Sequence, residues 1–364
     1  MIVLALNSGS SSLKLGLFRV QAANLEELSS TTVANASTAE AFASIEEFLA
    51  TPGVPTPDAI GHRVVHGGPA LRQHRLLDAF AIQQLEAAVA FAPLHMPAAL
   101  SFIRFLQAQF PGLPQIACFD TTFHANLPDV ARVLPIPKEL QSAGIQRYGF
   151  HGLSYESILH ALGHQLPDRI VISHLGNGVS VTAVKGGRSI DTSMGLTPTG
   201  GAIMGTRSGD LDPGVLLYLM REMKFDVAKL ADLVDQKSGL LGISGISSDM
   251  RRLHEAASHN DDARLAIQMF CYSVGKQIAA MIAALDGIDL LVFSGGIGEN
   301  DAMVRAGICA HLSWIGVNLD EGRNQSASQL INSASSRCAV RVIASQEDDQ
   351  IARHTFALAT KVAR

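Results

Sequence analysis

Three charged side chains, each set among apolar or small residues, suggest a chemistry. Arg63 lies in "GHRVVHGG" (61–68), flanked by Ile60, Val64 and Val65. An arginine in an apolar strand is costly unless it meets an anion. Asp120 ends the run "QIACF" and precedes two threonines, and Arg207 lies in "MGTRSGDLDP" just before a helix start. Two arginines and a carboxylate at strand and loop edges suit phosphoryl transfer to a small acid. The arginines neutralise the equatorial oxygens while the carboxylate orients the acceptor or a metal ion. Each residue taken singly fits a structural salt bridge equally well.

Three glycine-rich turns supply phosphate-binding candidates. "LNSGSSSLKLG" (6–16) contains Asn7, Ser10, Ser12 and Lys14. It lacks the P-loop spacing, and its lysine sits on a strand instead of opening a helix. A Gly/Ser hairpin can still present N–H groups and hydroxyls to phosphate, and a solvated turn is the competing reading. "HLGNGVS" (174–180), with His174, Gly176, Asn177 and Gly178, has the same character. "FSGGIGEN" (293–300), holding Gly296, Ile297, Gly298, Glu299 and Asn300, follows a buried strand. Its spacing departs from G-x-G-x-x-G, which disfavours a dinucleotide fold.

Among thirteen histidines, none shows H-E-x-x-H spacing, so a zinc site is not expected. His151, in "RYGFHGLS", is the candidate donor to developing charge. Glu347, starting the last helix, is either a helix-end charge or part of a Mg²⁺ shell.

The elements needed to position these groups alternate. Strands are expected around the first turn (2–20), within 59–68 ending in a glycine turn, within 115–124 running into a polar end, as three runs over 169–191, at the start of 288–300 and before 347. Helices are expected at 38–50, 78–91, 96–110, from Pro213 with Asp212 as N-cap, at 261–285, and to close the chain. Residues 21–58 otherwise read as irregular. Two segments that open with a strand–turn–strand echo, "IVLALNSGSSSLKLGLF" and "IVISHLGNGVSVTAV", suggest duplicated α/β domains around a cleft.

The totals agree with an α/β enzyme. The chain has 364 residues, 47% hydrophobic and 17% charged, with net charge −5. Without a basic block, nucleic-acid and membrane-surface partners are not expected. No apolar run approaches the length of a membrane span, and the N-terminus reads as a strand. The four cysteines show no C-x-x-C pair and are read as buried free thiols of a reducing compartment, the cytoplasm.

Taken in order, "LALNSGSSSLKLGLF", "GHRVVHGG", "APLHMP", "FDTTFH", "RYGFHGLS", "HLGNGVS", "SMGLTPTGG", "MGTRSGDLDP", "ISSDMR" and "FSGGIGEN" resemble the acetate kinase family. The resemblance implies two duplicated ribonuclease H-like (actin-like ATPase) domains with an interdomain nucleotide cleft, divided as 1–121 plus 348–364 and 122–347. It implies reversible Mg²⁺-dependent transfer of the ATP γ-phosphoryl group to acetate, giving acetyl phosphate and ADP on a route to acetyl-CoA, with Mn²⁺ as a substitute metal, in a homodimer. By motif position, Arg63, Asp120, Arg207 and His151 resemble the catalytic set. Val65, Leu94, Phe150 and Pro198 fall at the acetate methyl pocket. Ser10, Ser12, Lys14, His174, Gly176, Asn177 and Gly178 fall at the phosphates. Asp249, Met250, Arg251 and the loop Gly296, Ile297, Gly298, Glu299, Asn300 fall at the adenosine end. Asn7 and Glu347 fall at the metal. The chain is shorter than is usual for the family, mainly between 20 and 58, and "LTPTGG" and "SQEDD" depart from its pattern. Alternatives are a propionate or butyrate kinase of the same family and a non-catalytic ATP-binding protein, which would not need Arg63, Asp120 and Arg207 together.

Overall fold

The computed structural model describes residues 1–9, 12–22, 24–34 and 38–362. Two sheets organise it. The first contains β1 (Ile2–Ser8), β2 (Ser12–Val20), β3 (Leu25–Ala34), β4 (Ala59–Val64), β5 (Arg75–Leu76) and β6 (Gln115–Phe119), in the order β3-β2-β1-β4-β6-β5. The second contains β7 (Arg169–Leu175), β8 (Val179–Lys185), β9 (Arg188–Thr192), β10 (Leu290–Ser294) and β11 (Ala339–Val342), in the order β11-β10-β7-β8-β9.

The two sheets repeat one topology. β1 pairs antiparallel with β2 and β2 with β3, while β1–β4 and β4–β6 are parallel. In the same way β7–β8 and β8–β9 are antiparallel, while β7–β10 and β10–β11 are parallel. The duplication suggested by two short hairpins is therefore a duplication of whole five-strand units, with β5 added at one edge. The fold is α/β of the ribonuclease H-like, actin-like ATPase kind.

Composition explains the strand types. β6 and β10 are buried along their whole length, as parallel strands covered on both faces must be. β3, unforeseen in the sequence, shows an irregular alternation of exposed and half-buried residues and pairs only with β2 among the named strands. Its Ser/Thr/Glu content hides the strand signal, and pairing to β2 supplies what the residues alone do not.

The closing helix, Glu347–Val362, returns to the first sheet and crosses β4 at Gly61. A Cβ there would lie 2.1 Å from Thr355 Oγ1 and 2.7 Å from Ile351, so only glycine permits this approach. The helix Asp261–Ala284 is long and apolar enough to cross a membrane, contrary to expectation. In the fold it places Phe270, Val274 and Ile278 in the large core cluster beside Val181 and Leu175. The four cysteines are buried and unpaired.

Candidate active site

The parallel strands of the first sheet end together and deliver one polar cluster. Asn7 lies near the end of β1, Arg63 near the end of β4, and Asp120 one residue past β6. Arg63 Nη2 donates to Asp120 Oδ2 at 2.7 Å, and its Nε lies 3.1 Å from both carboxylate oxygens. Arg63 Nη1 donates to Asn7 Oδ1 at 2.9 Å and stands 3.4 Å from Glu347 Oε2. Asn7 Nδ2 donates to Glu347 Oε2 at 3.0 Å and to Asp348 Oδ1 at 2.7 Å. Burial pushes the Asp120 carboxyl up to about 6 against the pull of Arg63. Burial also opposes ionisation of Glu347, but Arg63 foremost holds it below the usual range. Asp348 is raised by burial, with Asn7 opposing.

The second sheet supplies the facing wall. His151 caps the helix Gly152–Leu162 in a left-handed conformation, φ +57°, and stacks on His174 with ring centroids 4.3 Å apart. Its Nδ1 lies 2.8 Å from Ser180 Oγ, which also bonds the Tyr155 hydroxyl. Burial first, then the neighbouring His174, holds His151 neutral, well below the ordinary histidine value. His174 is likewise lowered by burial, and its Nδ1 lies 2.9 Å from Ser154 Oγ.

Arg207 is 9% exposed and donates from Nη1 to the Pro198 carbonyl at 2.6 Å. Among the described residues no carboxylate pairs with it directly, and burial lowers its hold on its proton. A buried guanidinium with most of its five donors free is an anion site. Gly178 makes room for it: a Cβ there would stand 2.8 Å from Arg207 Nη2 and 3.1 Å from His151 Nε2.

These groups line one cavity of about 500 Å³ between the sheets. Of the residues expected there, Asn7, Ser12, Lys14, Arg63, Val65, Asp120, Phe150, His151, His174, Gly176, Asn177, Gly178, Pro198, Arg207, Gly296, Glu299 and Glu347 line it. Ser10 lies outside the described residues. Leu94 is 52% exposed and lines an adjoining depression of about 290 Å³, with His95, Asn177 and Arg207. Asp249, Met250 and Arg251 do not line the main cavity. Asp249 caps a helix and pairs with exposed Arg251, while Met250 is buried in the core. Ile297 packs against the core, Gly298 is buried, and Asn300 bonds back to the Gly296 carbonyl at 2.9 Å.

The third glycine stretch is not a loop. Helix begins at Gly295 directly after β10, because Gly295 takes φ +76° and passes 2.7 Å, at its absent Cβ, from the Leu175 carbonyl. Glu299 closes this turn: its Oε1 accepts the N–H of Gly295 at 2.9 Å and of Ser345 at 3.0 Å. Gly295, read with Gly296 and Gly298 as a nucleotide loop, does line the cavity, whereas sequence reasoning did not single out Gly9, Ser345 or Gln346, took Asp348 only as a helix-start charge, and left His95 without a role. The second acid of "SQEDD" was the available signal for Asp348.

A cleft between duplicated sheets of this topology, with an arginine on each wall and glycine turns at its floor, defines an ATP-dependent phosphotransferase of the actin-like ATPase fold. Residues 55–353 match the Acetokinase family, and the chain belongs to that family. An acetate kinase of Nitrobacter hamburgensis is 47% identical over 83% of this chain and 76% of its own length. One from Methylocella silvestris is 38% identical over 99% and 98%. Among solved structures, a propionate kinase from Francisella tularensis superposes with TM-score 0.90 at 37% identity, covering 98% of this chain and 99% of that one. Acetate kinase from Porphyromonas gingivalis gives TM-score 0.85 at 33% identity, with the same coverage.

Proposed function

We propose that this chain is an acetate kinase that moves the γ-phosphoryl group of ATP directly to acetate, reversibly, giving acetyl phosphate and ADP. The observation that carries it is the convergence of Arg63, paired to Asp120, and acceptor-poor Arg207 on one cavity. In this reading the acetate carboxylate and the migrating phosphoryl lie between the two guanidinium groups, and the methyl rests against Val65, Phe150 and Pro198. Asp120 fixes Arg63 and orients the acceptor. In this reading Tyr155 donates to Ser180 and Ser180 donates to His151 Nδ1, so that the neutral ring carries its proton on Nε2, which faces Gly178 and Arg207. That proton meets charge developing on the phosphoryl oxygens. The turns at Ser12, Gly176–Gly178 and Gly296 hold the other phosphates through backbone N–H groups.

The oxygen donors of Glu347 and Asp348, gathered by Asn7, fit a hard divalent cation, and these residues would hold Mg²⁺, with Mn²⁺ as substitute. The ion supplies charge neutralisation for the polyphosphate. Cytoplasmic residence and a role in supplying acetyl-CoA are part of the proposal, as is a homodimer. The helix Pro213–Arg221 supports the last: it buries none of its residues, and Leu217 and Tyr218 are more than half exposed.

The direct test is trapping of acyl phosphate with hydroxylamine after mixing the chain with ATP, Mg²⁺ and acetate. Acetyl hydroxamate is expected, and ATP binding without hydroxamate contradicts the proposal. The likeness to a propionate kinase favours one second reading, preference for the longer acid. A hydrophobic pocket separates acids one methylene apart by only about 1–3 kcal/mol, so kcat/KM for acetate, propionate and butyrate decides it.

A further inference from the structure

Behind the cleft, three side chains from three elements converge. His74 lies just before β5, Glu156 is on the helix Gly152–Leu162, and His354 is on the closing helix. His354 Nε2 lies 2.6 Å from Glu156 Oε2, His74 Nε2 lies 3.7 Å from the same oxygen, and the two imidazole centroids are 4.0 Å apart. Gln350 Nε2 approaches His354 Nε2 at 3.1 Å. None of these residues lines the cavity.

Two histidines and a glutamate within 4.8 Å of one another have the composition of a metal site. One hydrogen bond argues otherwise. The Phe119 N–H donates to His74 Nδ1 at 2.9 Å. A ring that accepts at Nδ1 carries its proton on Nε2, the atom a metal would need bare. His74 Nε2 is buried without a hydrogen-bond partner of its own, and Glu156 Oε2 is the carboxylate that faces it. Burial opposes ionisation of Glu156, but the close contact of His354, with the His74 imidazole beside it, holds its carboxyl down at about 2. The cluster is thus an ionised carboxylate held between two imidazoles.

The two helices begin in the active site, and His74 reaches a strand, β6, that ends there. The helix carrying Glu156 starts at His151 and presents Ser154 to His174. The helix carrying His354 starts at Glu347 and Asp348. His74 holds the backbone of Phe119, the residue before Asp120. We propose that Glu156 is a positioning residue for the transfer: its carboxylate ties together, from behind the cleft, the three elements whose ends hold His151, Glu347 and Asp120. The inference rests on the acetate kinase reading. It follows that loss of the tie harms transition-state alignment more than ground-state binding, since displacements near 1 Å cost about a hundredfold in rate.

The test is Glu156→Gln, which keeps the side chain's size but sets an amide NH₂ against an imidazole donor. Folded enzyme is counted by ADP binding, well below the melting temperature. The expected result is a kcat per folded molecule reduced about tenfold or more, KM for ATP and acetate within about twofold, and partial recovery in Glu156→Asp. An unchanged kcat with only a lowered melting temperature would make Glu156 merely structural and overturn the proposal. So would tightly held Zn²⁺ in the wild type whose removal abolishes turnover. Should Glu156→Gln not fold, His354→Ala cuts one limb at a partly exposed site: a reduced kcat with unchanged KM supports the tie, and an unchanged kcat overturns it. Wild-type enzyme assayed alongside separates the two failures. An inactive wild type sinks the kinase reading, whereas an active wild type matched by the variant sinks only the inference.

Discussion

Arg63 and Asp120 meet as a two-pronged ion pair at the ends of adjacent parallel strands, with Nη2 2.7 Å from Oδ2 and Nε 3.1 Å from both oxygens. Across the cleft Arg207 has the opposite circumstance, a neutral carbonyl at 2.6 Å and no carboxylate partner among the described residues. One arginine is therefore fixed by the protein, and the other is left to be completed by an anion.

Gly178 protects that arrangement. Its φ lies outside the left-handed region, so alanine is tolerated by the backbone, and the only penalty is the contact with Arg207 and His151. Gly178→Ala is expected to fold with a normal melting temperature and to lose about a hundredfold in kcat. Steady-state kinetics beside a thermal melt checks both halves.

Asn7 gathers Glu347 and Asp348 with one amide. Asn7→Ala frees both carboxylates, and residues that orient metal ligands are worth about 10–100-fold in metal affinity. The apparent Mg²⁺ constant is expected to rise by about that factor in a Mg²⁺ titration of activity. An unchanged titration would remove Asn7 from the metal's surroundings.

Val65 is 7% exposed and lines the cavity with Phe150 and Pro198. Val65→Ala enlarges the space for the acid's chain. The ratio of kcat/KM for propionate over acetate is expected to rise about tenfold, within the 1–3 kcal/mol a methylene contact is worth.

Four histidines are kept neutral chiefly by burial: His62, His66, His95 and His124, each lowered from 6.5 to about 4. Between those values the unfolded chain binds more protons than the native one, so stability rises with pH across the window and is lost as pH falls from 6.5 toward 4. A drop from 6.5 to about 4 corresponds to about 3 kcal/mol for one such group, a large share of the 5–15 kcal/mol of a typical domain. Denaturant midpoints measured from pH 7 to pH 4 are expected to fall steeply, and His62→Gln, at the site bonded to Gln115, is expected to flatten part of that slope.

Local signals carried much of this architecture. Asp212 with Pro213 marked a helix start, and the first hairpin announced its strands by alternation around small residues. β3 was hidden because its residues suit an exposed edge, and only pairing to β2 makes them a strand. The Gly295 turn read as a loop because its helix depends on the Glu299 carboxylate and the close Leu175 backbone, neither visible as periodicity. Glu156 looked like any helix residue, since its partners His74 and His354 lie 82 and 198 positions away in sequence. Arg63, Asp120 and Arg207 were legible because charge in apolar or glycine-rich surroundings demands a reason that burial alone does not supply.

The central claim is that two arginines from opposite walls of the cleft, Arg63 near the end of β4 and Arg207 in the loop after β9, act on one migrating phosphoryl group. Arg207→Ala tests it most directly, measured as kcat for acetyl phosphate formation beside ADP affinity. The account predicts nucleotide binding close to wild type and turnover lower by about 10³–10⁵. Turnover near the wild-type rate in a folded, nucleotide-binding variant would contradict it.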